Sequence, residues 1–222
     1  MKTGNENIGE DLSNERRSYE KYHLDERTVT DNPMDLFQNW YNQADECDMI
    51  EEANAMTIST VRPDGRPHAR VVLLKRFTWE GFYFYTNYRS DKGRAIEAHP
   101  DVCISFFWDA LERQVIIEGR AEKAPEDASD GYFATRPRGS RLGAWASEQS
   151  SVVPSREYLD ERLEEFGRKF EDQDVPRPPH CGLYLVRPVS IEFWQGRPNR
   201  MHDRLRYTLE EDFEWKLERL AP

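Results

Sequence analysis

Cysteine is scarce. The chain of 222 residues holds 3, Cys47, Cys103 and Cys181, with no two at C-x-x-C spacing. That argues against a disulfide framework and a cysteine-rich zinc site, and it points to reduced thiols in the cytoplasm. The 5 histidines show no H-E-x-x-H or other ligand spacing, so a dedicated metal site is not expected. Long apolar runs are missing as well. None reaches the ~18 residues of a membrane-spanning helix, and the opening MKTGNENIGEDLSNERR has no apolar stretch of the kind a secretory leader needs. G-x-x-x-x-G-K-[ST], G-x-G-x-x-G and G-x-S-x-G are all absent, which removes the phosphate-loop, dinucleotide-fold and serine-hydrolase readings. Positive charge is in deficit, with 31 Lys and Arg against 42 Asp and Glu and a net charge of −11. A chain of that sign is a poor general binder of nucleic acid, whose affinity comes from neutralising phosphates.

Aromatic residues are plentiful, with 6 Trp, 10 Tyr and 11 Phe, and they argue against disorder. Residues 1–30 are polar and mixed in charge and are expected to form a flexible arm. No shift in composition divides residues 31–222, which read as a single domain. Asn32 is a helix cap and Pro33 suits the first helical position. Leu36, Phe37, Trp40, Tyr41 and Ala44 then make one apolar face. From Ala55 the period changes to two. Strands are expected at 55–61, 68–75 and 82–86, joined by turns at 62–66 and 79–81. Further strands are expected at 102–108, 113–123, 182–186, 189–195, 200–207 and 213–220. Short helices are expected at 90–99 and about 128–135, the second stopped by Arg136-Pro137. A longer helix follows the cap Ser155, with Leu159, Leu163, Phe166 and Phe170 on one stripe. The result is an α+β fold, mainly antiparallel β, with peripheral helices. The strand number points to a barrel, although periodicity does not show closure.

Three stretches concentrate cationic and polar side chains. Arg70 and Lys75 bracket an apolar strand, and alternation sends them to opposite faces unless a bulge intervenes. Each is either a phosphate ligand at a barrel end or part of a solvated strand end. Tyr132 and Arg136 are four apart on one helical face, with Ser140 beyond Pro137 in a glycine-containing loop. A phenol, a guanidinium and a hydroxyl suit a phosphomonoester, while a helix C-terminus with arginines on its dipole is the alternative. Arg200, His202 and Arg204 alternate, so a strand sends all three to one face, either toward an anionic ligand or onto an exposed rim. Gln114 and Gln149-Ser150 are polar positions beside apolar segments, suited to a planar heterocycle. Two phosphate-type sites with neither nucleophile nor metal point to a phosphorylated cofactor that carries the chemistry beside a phosphorylated substrate.

Eight ordered motifs carry a resemblance: RVVLLK (70–75), FYTN (84–87), LERQV (111–115), YFATRPRGSRLGAWAS (132–147), QSS (149–151), IEFWQG (191–196), RMHDR (200–204) and the ending ERLAP. Over about residues 16–222 the chain resembles the pyridoxamine/pyridoxine 5′-phosphate oxidase family. The resemblance implies an FMN-binding split β-barrel and a homodimer with FMN in clefts between the subunits. It implies oxidation of pyridoxine or pyridoxamine 5′-phosphate to pyridoxal 5′-phosphate, with O2 reduced to H2O2 and ammonia released from the amine. By the same resemblance FMN falls to Arg70, Val71, Val72, Leu73, Leu74, Lys75, Tyr85, Thr86, Lys92, Gln114, Gln149, Ser150, Trp194 and Arg204. The substrate phosphate falls to Lys75, Tyr132, Arg136 and Ser140. Arg200 and His202 meet the pyridine ring as the expected catalytic pair, and the segment from Arg16 to Tyr19 covers the substrate. One position departs from the family: Asp91 stands where an arginine commonly precedes the phosphate-binding lysine, here Lys92. Its carboxylate is expected to turn to solvent at a helix start, where acidic residues are favourable. Another split-barrel flavin oxidoreductase, or a non-catalytic carrier of FMN or pyridoxal phosphate, stays open as an alternative.

Overall fold

Alternation along the strands decides which side chains enter the barrel. In β4 (Asp101–Trp108), Val102, Ile104, Phe106 and Trp108 are buried and Cys103, Ser105 and Phe107 face outward, the period of a strand with one covered face. The computed structural model describes residues 12–15 and 17–222. The rest of the expected arm, including Arg16, lies outside the described residues.

Strands β1 (Ala55–Val61), β2 (Pro67–Thr78), β3 (Gly81–Asn87), β4, β5 (Arg113–Lys123), β6 (Cys181–Gln195), β7 (Asp203–Leu209) and β8 (Trp215–Leu220) form one antiparallel sheet. Their order is β3-β2-β1-β4-β5-β6-β7-β8. β3 also pairs with β6, from Phe82↔Val186 to Asn87↔Cys181. That pairing closes six strands into a barrel and leaves β7 and β8 as an extension. The two strands expected at 182–186 and 189–195 are one strand of 15 residues. A register shift at Glu118/Gly119, opposite Pro188, carries β6 past its proline.

Helix α1 (Pro33–Asp45) follows its sequence signals. Asn32 Oδ1 accepts the Met34 N–H at 2.9 Å, satisfying one orphan donor of the first turn. Its apolar face joins the barrel core. Phe37 is 0% exposed and meets Phe77, Phe82 and Phe106 at centroid distances of 5.1, 4.8 and 5.3 Å. Helices α2 (Asp91–Ala98), α3 (Glu126–Thr135), α4 (Arg138–Ala146) and α5 (Arg156–Lys169) surround the barrel. Among the described residues no helix is long and apolar enough to cross a membrane.

Two expectations are corrected here. Ser140, expected in a glycine-containing loop beyond Pro137, lies in helix α4. Pro137 sits at its N-cap position with φ −52°, and Leu142, Trp145 and Ala146 pack on Phe166 and Phe170. That packing outweighs the poor helix propensity of Gly139 and Gly143. Neither Arg200 nor His202 is on the strand that carries Arg204. Pro198 interrupts the extended chain with a 3-10 turn over Pro198–Arg200, in which Asn199 and Arg200 have φ of 57° and 61°. β7 therefore begins only at Asp203.

Candidate active site

A cavity of about 670 Å³ opens where β2, β3, the first residue of β6 and helices α2, α3 and α4 meet. A β-bulge builds one wall. Between the pairs Leu74↔Phe84 and Arg76↔Tyr83, strand β2 carries Lys75 as an extra residue. Arg70 and Lys75, opposed in a regular strand, thereby both line the cavity. Arg70 Nη1 donates to Ile58 O at 3.2 Å and Thr60 Oγ1 at 2.8 Å, while its Nη2 is buried without a partner. Lys92, in the first turn of α2, is 8% exposed. Its Nζ donates to two neutral oxygens, Thr86 Oγ1 at 3.2 Å and Gln149 Oε1 at 3.5 Å. Burial, and then the neighbouring Arg70, push its pKa below the usual lysine range.

The second wall comes from α3 and α4. The Tyr132 ring lies 4.9 Å from the Tyr85 ring, and the Arg136 guanidinium stacks over Tyr85 at 5.1 Å and over Phe133 at 5.6 Å. Lys75 faces this group, and burial lowers its pKa against the opposing pull of Glu52. Among the described residues the lining contains Arg70, Lys75, Lys92 and Arg136 and no Asp or Glu. Cations gathered in a partly desolvated cleft without a counter-charge are unfavourable until an anion arrives. Lys92 is bonded to Thr86 and Gln149 and feels the charge of Arg70, while Lys75 feels that of Arg136, whose guanidinium meets Tyr85 beside the Tyr132 ring; Ser140 lines the same cavity. With Arg70 Nη2 unsatisfied, these donors fit a phosphorylated cofactor beside a phosphorylated small molecule. Asp91 is not in the lining. Its carboxylate pairs with Arg94 at 2.5 Å, with 41% of its side chain exposed.

A second cluster lies on the outer face of the sheet. Gln114, Trp194 and Arg204 stand side by side on three adjacent strands through the pairs Gln114↔Trp194 and Trp194↔Arg204. Gln114 Nε2 donates to Ser105 Oγ at 3.1 Å. Arg204 donates to Glu192 Oε1 at 2.7 Å, Glu192 Oε2 at 3.1 Å and Ala221 O at 2.9 Å, so most of its donors are engaged. The His202 ring is 4.6 Å from Trp194, and Tyr19 sits edge-on to both, at 5.8 Å from Trp194 and 5.9 Å from His202. His202 Nδ1 accepts the Arg197 N–H at 3.0 Å, which leaves the proton of the neutral ring on Nε2. Burial and then Arg200 lower the His202 pKa. Arg200 itself is exposed on its turn.

Of the residues expected at the site, Arg70, Val71, Val72, Leu73, Lys75, Tyr85, Thr86, Lys92, Tyr132, Arg136, Ser140 and Gln149 line the cavity. Leu74 turns into the core at 4% exposure. Ser150 stands beside the cavity, its Oγ accepting the Asp91 N–H at 3.2 Å. Gln114, Trp194, Arg200, His202, Arg204 and Tyr19 belong to the outer cluster. Cys181 in the cavity and Trp194 in the outer cluster occupy opposite ends of β6, with about 40 Å of strand between them. Asn87, Gly143, Ala144, Ser147 and Cys181 line the cavity without having been singled out. Positions 140, 143, 144 and 147 repeat at i, i+3, i+4 and i+7, a helical face that is legible once 138–146 is taken as helix.

A family model described as pyridoxamine 5′-phosphate oxidase matches residues 45–169, and one described as the pyridoxine 5′-phosphate oxidase C-terminal dimerisation region matches residues 182–222. The pyridoxine/pyridoxamine 5′-phosphate oxidase of Flavobacterium johnsoniae is 55% identical over 211 residues, covering 95% of this chain and 99% of that protein. The protein of the same name from Gloeothece citriformis is 53% identical over 215 residues, covering 97% and 100%. Among solved structures, PhzG from Burkholderia lata, in complex with tetrahydrophenazine-1-carboxylic acid, superposes with a TM-score of 0.85 at 27% identity, covering 93% of this chain and 100% of that one. A pyridoxamine 5′-phosphate oxidase-related, FMN-binding protein from Nostoc punctiforme gives a TM-score of 0.68 at 17% identity, covering 87% and 100%, a likeness of fold.

Proposed function

Because this chain belongs to the pyridoxamine 5′-phosphate oxidase family, we propose that it oxidises pyridoxine 5′-phosphate and pyridoxamine 5′-phosphate to pyridoxal 5′-phosphate with FMN as cofactor. O2 is reduced to H2O2, and the amine substrate releases ammonia. This is the step that finishes the pyridoxal phosphate cofactor in vitamin B6 synthesis and salvage. The observation that carries the reading is the cavity, with four cations, no lining carboxylate among the described residues and Arg70 Nη2 unsatisfied.

In this reading Arg70, Lys92 and Thr86, with Gln149 and Ser150, hold the FMN phosphate end, and the backbone from Val71 to Leu74 runs along the cofactor. Lys75, Tyr132, Arg136 and Ser140 hold the substrate phosphate. FMN, when bound, supplies the acceptor, at N5, for a hydride from the substrate's C4′ carbon and the route of those electrons to O2. The protein contributes positioning and electrostatics. Anchoring the phosphate fixes one end of the substrate. His202, with its proton on Nε2, donates to the ring's 3-oxygen, and the Arg200 guanidinium adds positive charge beside it. Together they are the catalytic pair that aims C4′, and Tyr19 helps keep water from the ring.

The working unit is a homodimer in which the outer cluster of one copy completes the cavity of the other. The separation of the two clusters along β6 supports this, as do the outward-facing Val71 and Phe107, 66% and 60% exposed. So does the description of the region matching residues 182–222. Residues 31–222 act as one unit, with the described residues 17–30 as its arm. Adding pyridoxine 5′-phosphate without air to the FMN-loaded protein tests the proposal. The yellow absorbance is expected to bleach, then return with H2O2 when air is admitted. Bound flavin that stays yellow with both substrates contradicts it.

A further inference from the structure

Glu112 is a buried carboxylate that the proposed chemistry does not use. It ends the short turn before β5, in the left-handed region at φ 55° and with 2% of its surface exposed, an uncommon conformation for a glutamate. Its main chain is tied to the end of β6: the Gly196 N–H donates to Glu112 O at 2.8 Å and Gln195 Nε2 donates to the same oxygen at 3.1 Å. Its side chain turns the other way, to the N-terminal arm. Oε2 accepts two consecutive backbone N–H groups, from Glu20 at 2.9 Å and Lys21 at 3.1 Å, and Oε1 lies 3.7 Å from Arg17 Nη2. Lys21 Nζ donates to Ala110 O at 2.6 Å on the same turn.

Burying a carboxylate is unfavourable unless it is paired and hydrogen-bonded. Among the described residues, the partners of the carboxylate, Arg17, Glu20 and Lys21, all belong to the arm. What the charge secures is therefore the path of the arm across the barrel. The residue just before this anchor is Tyr19, in contact with Trp194 and His202. Its seat is tight: a Cβ added at Gly196 would lie 2.7 Å from Tyr19 Cγ and 2.8 Å from Tyr19 Cβ. The next strand residue supports the same docking. The Arg113 guanidinium is sandwiched by Tyr22 at 4.7 Å and Trp40 at 4.5 Å and bonded to Gln195 at 2.9 Å.

We propose that Glu112 is a positioning residue: its carboxylate locks the arm in the register that sets Tyr19 over Trp194 and His202. It touches no reacting atom. The consequence for turnover rests on the oxidase reading; the lock does not, and the experiment reads the two apart. Limited trypsin digestion of the full-length, FMN-loaded protein is followed by mass spectrometry at Arg17 and Lys21. Glu112→Ala is expected to speed cleavage there about tenfold, the factor carried by losing roughly one charge-assisted hydrogen bond. Glu112→Gln, which keeps one acceptor oxygen, falls between. In turnover, Glu112→Ala raises the KM for pyridoxine 5′-phosphate with the FMN Kd unchanged, and in a Tyr19→Ala background it adds nothing further. Should Glu112→Ala not fold, Gly196→Ala reaches Tyr19 from the other side and raises both cleavage and KM. Wild-type digestion in both Glu112→Gln and Gly196→Ala overturns the proposal, and so does an undiminished KM effect in the Tyr19→Ala background. A wild-type protein without turnover overturns the oxidase reading alone, since the digestion still decides the lock.

Discussion

Lys92 and Asp91 are neighbours with opposite fates. Lys92 is buried against neutral oxygens and Arg70. Asp91 stays with Arg94 outside the cavity lining, although its charge still pulls the pKa values of Arg70 and Lys92 upward. Reversing that charge should strengthen the field on a bound phosphate. Asp91→Arg is expected to lower the FMN Kd about three- to tenfold, measured by flavin fluorescence titration at fixed salt. An unchanged Kd would mean that Asp91 is silent toward the cofactor. Burial is the leading cause that lowers the pKa of both His180 and His202, below the 6.5 of a free imidazole. Below pH 6.5 the unfolded chain then binds more protons than the folded one. The stabilisation from the neutral rings is complete above pH 6.5 and is lost as pH falls through the folded pKa values. Thermal unfolding midpoints are expected to fall between pH 6.5 and 5.5, less steeply in His202→Asn. A parallel fall in wild type and variant would contradict this.

Helix α1 is the element most fully written in the sequence, with an Asn cap, a Pro start and an aromatic face of helical period, all recovered in the structure. Its weight lies in Phe37, which is wholly buried among three barrel phenylalanines. Phe37→Ala is expected to cost about 3–5 kcal/mol, read from urea unfolding; a loss under 1 kcal/mol would mean that the helix is not part of the core. Other elements were legible only in part. Helix α4 was less legible: Gly139 and Gly143 lower its local propensity, and the packing of Leu142, Trp145 and Ala146 on Phe166 and Phe170 is a tertiary contact. The alternation of Arg200, His202 and Arg204 was a true pattern on a false element, because Pro198 breaks the chain first. At β2 the alternation rule puts Arg70 and Lys75 on opposite faces unless a bulge intervenes. The bulge that unites them comes from pairing with β3, which no local pattern in β2 reveals.

At the scale of the whole molecule, barrel closure depends on one long strand. β6 pairs with β5 along nearly its full length, with β3 at its start and with β7 at its end, and only tertiary pairing sets such a register. The same strand carries one residue of the cavity and one of the outer cluster at its two ends. In the proposed homodimer, a catalytic centre that needs both clusters would be a property of two copies. Complementation between two damaged copies tests this composite centre. A heterodimer is purified from co-expressed Arg136→Ala, damaged in the cavity, and Trp194→Ala, damaged in the outer cluster. If each centre draws its cavity from one copy and its cluster from the other, one of the two centres is intact, and about half of wild-type activity returns. A heterodimer no more active than either variant alone would contradict the composite centre.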